Sequence, residues 1–319
     1  MLALGFKQRV YAWGERYFYN PTFLMKFIYI LLLPFSLIYC FISCLKFYLS
    51  NPKKPPLPTI SIGNLTMGGS GKTPITLALA KEFKECAIVL RGYKRESKGI
   101  LVVSHNGKIL TDVRKSGDEA MLYANSLSKA SVIVSEDRLE GIKKAKELNA
   151  KMVFLDDGFF HFKIKKLNIL IDPTPTPPSI FCIPSGVYRA PLWFKKYADI
   201  VLKEGVNFER EVLVLNETKR MVLVTAIANP ARLDRFLPKN LVEKYYFEDH
   251  YLFKKEELEE IVKKHNATSL LVTSKDAVKL KSFNIELSLL NLEIKLPTFL
   301  KNSVSSYIDK EWEICLHNG

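Results

Sequence analysis

Apolar and polar positions along the chain predict an alternation of strands and helices. Short apolar runs rich in β-branched residues predict strands at 59–62, 87–90, 132–134, 152–155, 168–171, 199–202 and 221–225. Apolar positions at helical spacing predict helices between several of these runs, at 73–84, 117–128 and 138–148. Alternating strands and helices are typical of a mostly parallel, doubly wound α/β sheet, which binds ligands at the carboxyl ends of its strands. After residue 226 the pattern changes, and a helix at 255–265 with a strand at 269–273 predicts a smaller C-terminal α/β subdomain.

A long apolar segment precedes the first predicted strand. Residues 27–45 contain no charged side chain, and the segment is long enough to cross the hydrocarbon core of a bilayer. A cleaved signal peptide is disfavoured, because the segment begins late and no small-residue cleavage site follows it. Three interpretations stay open: a single-pass helix, a monotopic anchor that Pro34 breaks into two short segments, and a buried pair of core helices. Basic residues on both sides favour a segment that enters and leaves the same face of the membrane.

A glycine-rich segment joins the first strand to the first helix of the predicted sheet. Residues 63–74 read GNLTMGGSGKTP, which fits a phosphate-binding P-loop except at Thr66, where the pattern has glycine. Glycines let successive backbone N–H groups face one anion, and the helix N-terminus adds its positive dipole end. In such a loop Lys72 would contact the β- and γ-phosphates, and the Thr73 hydroxyl would ligate Mg²⁺. The residues expected to bind the nucleotide are Thr66, Met67, Gly68, Gly69, Ser70, Gly71, Lys72 and Thr73.

Two further places carry paired acidic residues. Asp156 and Asp157 follow the apolar strand at 152–155, which is typical of a Walker B element that holds Mg²⁺ opposite the P-loop. Asp118 and Glu119 follow Gly117 at the start of a predicted helix. This second pair has two interpretations: compensation of the helix dipole, or a division of labour between a base and a metal ligand.

Composition and the proline-rich linker indicate the class of protein and the division of the chain into segments. The 319 residues are 48% hydrophobic and 25% charged, which is ordinary for a packed protein. The net charge of +14 indicates an anionic partner, and the apolar segment favours lipid head groups over nucleic acid, for which no motif is present. The five cysteines include no C-x-x-C pair, which indicates a reducing compartment and no zinc site. With the proline-rich linker at 51–58, we expect a membrane-associated helical segment at 1–50, a P-loop core at 51–225 and the smaller subdomain at 226–319.

Several short motifs occur together in one order between about residues 30 and 280. They are Leu33-Pro34-Phe35-Ser36, the P-loop at 63–74, Arg91-Gly92-Tyr93, Gly117-Asp118-Glu119, Asp156-Asp157-Gly158 with His161, Pro184-Ser185-Gly186 with Arg189, Asp249-His250 and the segment 273–279. This order resembles the tetraacyldisaccharide 4′-kinase (lipid A 4′-kinase) family, whose loop also has threonine at the position of Thr66. One departure is Phe160, where that family usually carries glutamine.

The resemblance implies a reaction and a set of roles. It implies transfer of the γ-phosphate of ATP, with Mg²⁺, to the 4′-hydroxyl of a tetraacylated glucosamine disaccharide 1-phosphate. This step of lipid A biosynthesis forms lipid IVA at the cytoplasmic face of the inner membrane of a Gram-negative bacterium. Asp118 would be the general base with His250 as its partner, Lys72 would be catalytic, and Thr73, Glu119 and one of Asp156 or Asp157 would hold Mg²⁺. The residues implied in acceptor contact are Arg91, Tyr93, Arg138, His161 and Arg189.

Two other classes of function are weighed against this one. A P-loop GTPase would need an Asn/Thr-Lys-x-Asp motif, and here Lys275 and Asp276 are adjacent without the spacer residue. A membrane-anchored ATPase or adaptor would use the nucleotide as a switch and would have no acceptor substrate. We expect the membrane surface and the acylated disaccharide as partners, and neither nucleic acid nor a protein partner.

Overall fold

The computed structural model describes residues 13–14, 16–67, 71–227, 230–249, 251–280 and 282–317, without the side chains of residues 231, 232 and 315–317. Residues 13–14 and 16–19 are helical, and the helices that follow them are α1 (Phe23–Tyr48), α2 (Lys72–Lys81), α3 (Val113–Ser116), α4 (Asp118–Ser126), α5 (Arg138–Glu147), α6 (Lys255–Lys264), α7 (Ser274–Leu280) and α8 (Thr298–His317). Two 3₁₀ helices span Leu192–Tyr197 and Pro230–Phe236.

The larger sheet has a mostly parallel, doubly wound architecture. Its strands are β1 (Thr59–Gly63), β2 (Cys86–Leu90), β3 (Leu101–His105), β4 (Lys108–Ile109), β5 (Ser131–Val134), β6 (Met152–Asp156), β7 (Leu167–Asp172) and β8 (Ile200–Lys203). In the described part of the chain these eight strands lie in the order β4-β3-β5-β2-β6-β1-β7-β8, and only the β3–β5 and β3–β4 pairs are antiparallel. The predicted fold class is therefore confirmed.

Helices cover both faces of this sheet. Ile75 of α2 and Tyr123 of α4 are fully buried against the face that carries Ile60 and Ile88. On the opposite face, Ile142 of α5 packs with the strand residues on that side. Burial on both faces explains why the central strands are continuous apolar runs and why their positions were readable from the sequence.

A second, smaller sheet follows the first. Its strands are β9 (Glu209–Leu215), β10 (Met221–Thr225), β11 (Leu241–Tyr246), β12 (Ser269–Thr273) and β13 (Leu287–Lys295). They lie in the order β11-β10-β12-β13-β9, with only β9 antiparallel to its neighbour. The strand predicted at 221–225 is therefore part of the second sheet and not of the core sheet. Helix α8 returns to the first sheet, where Leu300 and Val304 are buried in its core.

The N-terminal helix lies along the surface of the first sheet's domain. Helix α1 is 26 residues long and continues through Pro34, so the expected break into two segments is wrong. By length and composition it could cross a membrane, with a mean hydropathy of 2.3 in its most apolar window. Its buried residues Met25, Tyr29, Ser36 and Ser43 recur on one side, and only 11% of that window is buried. A buried pair of core helices is therefore also wrong.

Hydrogen bonds fix the docked side of α1 to the loop before β8. The Ser185 backbone N–H donates to Ser36 Oγ at 2.8 Å, and Ser43 Oγ donates to the Arg189 carbonyl at 3.3 Å. Near the end of the helix, the ring of Phe47 packs on Phe194 with a centroid distance of 5.2 Å. The docked side thus reaches the loop that carries Arg189.

Candidate active site

The P-loop lies between the central strand and its helix, as the sequence predicted. Strand β1 ends at Gly63, and α2 begins at Lys72 after Gly71, whose φ is +79°. A side chain at Gly71 would be strained by this φ and would also overlap the guanidinium of Arg210 from β9. Asn64 organises the start of the loop, because its Nδ2 donates to the Thr66 carbonyl at 2.9 Å and to Thr66 Oγ1 at 3.0 Å. Met67 follows Thr66, whereas Gly68, Gly69 and Ser70 lie outside the described residues.

A cluster of two cations and two oxygen-bearing side chains lies beside this loop. Lys72 Nζ donates to Asn64 Oδ1 at 3.0 Å and lies 3.6 Å from Asp157 Oδ1. Arg189 grips Asp157 with both terminal nitrogens, at 3.0 Å to Oδ2 and 2.9 Å to Oδ1. Its Nη2 also donates to the Asn64 carbonyl at 2.9 Å and to Asn64 Oδ1 at 2.7 Å. Although burial opposes it, the charges of Lys72 and Arg189 hold the pKa of Asp157 well below its usual range.

Asp156 lies in a different environment one residue earlier. Parallel pairing of β1 with β6 sets Ile62 beside Asp156, which brings this carboxylate to the P-loop. Its Oδ2 accepts hydrogen bonds from Tyr123 OH at 2.8 Å and from Thr73 Oγ1 at 3.4 Å. Burial and the charge of Glu119 raise the pKa of Asp156 to about 6.

The environment of Asp156 fits a magnesium ion. Its Oδ1 is buried and has no hydrogen-bond partner among the described residues. No group of three or more His, Cys, Asp and Glu side chains arranged as metal ligands is found in the described ranges. Mg²⁺ that is bound together with nucleotide phosphates needs only one or two protein carboxylates, so the oxygens of Asp156 and Thr73 suit it.

Asp118 begins α4 at the same edge of the sheet. Its Oδ2 lies 2.9 Å from Nζ of Lys279, a lysine of α7 in the second sheet's subdomain. Gly117 before it has a φ of +84°, and a Cβ there would lie 3.1 Å from the Tyr93 carbonyl oxygen. Tyr93 therefore lies next to the start of α4. His250, the expected partner of Asp118, lies outside the described residues.

Arg138 and His161 lie close to the paired aspartates. Arg138 is 4% exposed and donates from Nη1 to the Ser135 carbonyl at 2.6 Å. Burial lowers the pKa of Arg138, the charges of Asp156 and Asp157 oppose this shift, and the nearby charge of Arg91 adds to it. Burial and the charge of Arg138 lower the pKa of His161 to about 4, so its ring is neutral at pH 7.

A cavity of about 320 Å³ separates this edge from α1. Its lining includes Tyr39, Ile42 and Lys46 of the helix, and Phe160, Phe162 and Arg189 of the core. The guanidinium carbon of Arg189 lies 4.6 Å from the centre of the Phe160 ring, a cation–π contact. Phe160 therefore contacts Arg189 at the position where the resembled family usually has glutamine.

Four residues at the site were given no role from the sequence. They are Asn64, Tyr123, Arg210 and Lys279, which contact Lys72, Asp156, Gly71 and Asp118 respectively. Asn64 and Lys279 do belong to the motifs quoted above, and that is the signal that could have found them. Tyr123 and Arg210 belong to no motif, and only the folded chain brings them to the loop.

Comparisons with known proteins agree over nearly the whole chain. A family model described as tetraacyldisaccharide-1-P 4′-kinase matches residues 28–311. A tetraacyldisaccharide 4′-kinase of Helicobacter pylori strain 26695 is 50% identical over 92% of this chain and 94% of that protein. A protein of the same name from Aliarcobacter butzleri is 47% identical over 95% of this chain and 99% of that protein. Another from Campylobacter jejuni (serotype O:2) is 46% identical over 94% of this chain and 97% of that protein. The crystal structure of LpxK from Aquifex aeolicus in complex with ATP is similar with a TM-score of 0.74 and 31% identity, over 88% of this chain and 99% of that one.

Proposed function

The chain belongs to the tetraacyldisaccharide-1-P 4′-kinase family, and we propose that it transfers the γ-phosphate of ATP to the 4′-hydroxyl of a tetraacylated glucosamine disaccharide 1-phosphate. This is the kinase step of lipid A biosynthesis. The observation that carries the proposal is one edge of the first sheet, where the P-loop, the paired aspartates and Asp118 converge. Phosphoryl transfer requires residues that bind the phosphates, positive charge that neutralises them and a base for the attacking hydroxyl. This edge of the sheet has a side chain suited to each of these roles.

The nucleotide side of the reaction rests on the P-loop and its cation cluster. Lys72 would neutralise charge on the transferring phosphoryl group, while Asn64 and Asp157 hold its ammonium in place. Mg²⁺, when bound, would supply positive charge that offsets the negative charge of the phosphates during transfer. Thr73, Glu119 and Asp156 would hold it, and Asp156 is the better of the two aspartates because Arg189 already occupies both oxygens of Asp157.

The acceptor side of the reaction rests on Asp118 and the residues around it. Asp118 would take the proton of the 4′-hydroxyl as this oxygen attacks, with His250 as its partner by family resemblance. Arg91, Tyr93, Arg138, His161 and Arg189 would contact the acceptor or its phosphate. The cavity between α1 and Phe160 lies beside Arg189, and its apolar walls suit part of an acylated sugar.

Helix α1 would attach the enzyme to the cytoplasmic surface of the inner membrane. One side of α1 contacts the loop at 184–189 through Ser36 and Ser43, and these contacts favour a helix that lies in the membrane interface over one surrounded by lipid. The opposite side exposes large apolar side chains, including Phe27 at 63% and Ile38 at 57%. A helix lying in the interface, with basic residues at both ends, would bring the site to an acceptor that stays in the bilayer.

The test is a phosphorylation assay with the purified full-length chain. ATP, Mg²⁺ and a tetraacyldisaccharide 1-phosphate in mixed detergent micelles should yield a product heavier by one phosphoryl group in mass spectrometry. GTP in place of ATP tests the GTPase alternative in the same format. ATP turnover without any phosphorylated lipid would overturn the proposal and would favour a nucleotide-driven switch.

A further inference from the structure

A lysine of the second sheet's subdomain is buried against the candidate base. Lys279 is only 8% exposed, and its Nζ lies 2.9 Å from Asp118 Oδ2. The same ammonium donates to the Tyr251 carbonyl at 3.2 Å and lies 5.6 Å from the centre of the Phe253 ring. A buried charge is costly unless it is paired and hydrogen-bonded, so these contacts fix the ammonium at one place.

The place of Lys279 is set by a second carboxylate on the same helix. Asp276 Oδ1 lies 3.6 Å from Lys279 Nζ. Its Oδ2 accepts hydrogen bonds from Thr225 Oγ1 and Thr273 Oγ1, both at 2.8 Å, and from the Ala226 N–H at 3.2 Å. Thr225 ends β10 and Thr273 ends β12, so Asp276 is tied to the carboxyl edge of the second sheet. Asp276 thereby links the Lys279 ammonium to the second sheet, and the same ammonium contacts the Asp118 carboxylate.

We propose that Lys279 is a positioning residue that orients the Asp118 carboxylate toward the acceptor hydroxyl, so that the second sheet completes the active site of the first. This rests on the proposed function, in which Asp118 is the base. Asp118 stands at the first position of α4, directly after Gly117, whose φ is +84°. Displacement of a reacting group by about 1 Å can cost about 100-fold in rate. The effect of Lys279 on the rate should therefore be larger than its effect on the stability of the contact between the two sheets' domains.

Steady-state kinetics with the lipid acceptor separate positioning from simple stabilisation. Lys279→Gln removes the charge but keeps a hydrogen-bond donor, on a side chain one atom shorter. We expect kcat to fall about 10- to 100-fold, with KM for ATP and for the lipid within about threefold of wild type, because the base acts in the transition state. Lys279→Arg should give a kcat between those of wild type and Lys279→Gln, because it keeps the charge but changes the geometry.

A control removes a lysine–carboxylate pair within the first sheet's domain, away from the candidate site. Lys301 of α8 lies 2.6 Å from Glu82, at the far end of α2 from the P-loop. Lys301→Gln should leave kcat within about twofold, because surface ion pairs contribute little. A thermal unfolding curve is measured for every variant, so that kcat is compared only between folded proteins.

A double-variant cycle decides the question. If Lys279 acts through Asp118, then Lys279→Gln added to Asp118→Asn should lower kcat by less than about twofold. Losses that multiply would overturn the proposal, and so would a wild-type kcat in folded Lys279→Gln. If Lys279→Gln does not fold, Lys279→Arg is used in the same cycle with the same criterion. An inactive wild type overturns the proposed function itself, whereas an active wild type with a crippled Asp118→Asn and an unaffected Lys279→Gln overturns only this inference.

Discussion

Replacing Arg189 with lysine tests the cation cluster beside the P-loop. Among the described residues the Arg189 side chain makes four hydrogen bonds, two to the oxygens of Asp157 and two to oxygens of Asn64. Lysine keeps the positive charge but cannot make two parallel bonds to one carboxylate while also reaching Asn64. The substitution therefore changes the geometry of the cluster and leaves its net charge unchanged.

The expected loss follows from the bonds that disappear. The side chains of Arg189 and Asp157 are 23% and 41% exposed, so each lost bond is counted at or below the lower limit of about 1.5 kcal/mol for hydrogen bonds to charged groups. Two lost bonds at about 1–1.5 kcal/mol each give about 2–3 kcal/mol, or about a 30- to 150-fold loss. We expect this loss in kcat for lipid phosphorylation, because in the proposed function the cluster would hold Lys72 in place for the transfer.

Two assays on the same preparations check this expectation. ATP affinity is measured by titration calorimetry without the lipid, and kcat is measured with the lipid at saturating ATP. ATP affinity should change less than about threefold, since the charge at the loop is kept. Arg220→Lys is the matched control, because Arg220 is exposed and makes a bond to the His265 carbonyl in the second sheet's subdomain. A kcat within threefold of wild type would refute the reasoning, and an equal loss of ATP affinity would place Arg189 on the nucleotide side.

Three other changes have outcomes that the structure also specifies. Lys72→Ala should lower kcat by about three orders of magnitude while the protein stays folded, and near-normal turnover in a folded variant would contradict the P-loop assignment. Phe27→Glu combined with Ile38→Glu should release the protein from liposomes of anionic lipid in a sedimentation assay. The control Val206→Glu, at an exposed residue far along the chain from α1, should leave sedimentation unchanged. Unchanged sedimentation of the Phe27→Glu and Ile38→Glu double variant would place the membrane anchor elsewhere. Because the pKa of His161 is about 4 when folded and 6.5 ordinarily, the unfolded chain binds a proton first as the pH falls, so the free energy of unfolding should decrease by about 2 kcal/mol between pH 7 and pH 5. His161→Gln should remove this part of the acid dependence in urea titrations, and an identical dependence in both proteins would show that His161 is not the cause.

The first sheet was predictable because its strands are buried on both faces. Strands β1, β2 and β6 are fully buried, and their apolar runs stand out from the turn residues around them. The strands that the sequence did not reveal are half-exposed. In β9 half-buried and exposed positions alternate, and its first three residues are charged. Such an edge strand has no continuous apolar run, so only its pairing with β13 identifies it.

The candidate site was predictable where its residues lie next to one another in the sequence. The P-loop and the paired aspartates each need only a strand, a short turn and local spacing. Contacts between distant segments could not be read in the same way. Arg189 meets Asn64 across 125 positions of the chain, and a loop arginine in a basic sequence resembles any solvated surface charge. The direction of its side chain depends on how α1, the loop at 184–189 and the sheet pack together.

The charges at the site are balanced unevenly, and this asymmetry separates the carboxylates by role. Asp157 is neutralised by Arg189 and Lys72, and Asp118 lies against Lys279. Asp156 has the hydroxyls of Tyr123 and Thr73 as its hydrogen-bond donors, and burial together with Glu119 raises its pKa to about 6. A carboxylate whose pKa is raised by burial gains the most from a divalent cation, because the cation favours the charged form that burial disfavours. The chain's own cations thus contact Asp157 and Asp118, whereas burial leaves Asp156, which accepts a hydrogen bond from the P-loop threonine, with a raised pKa.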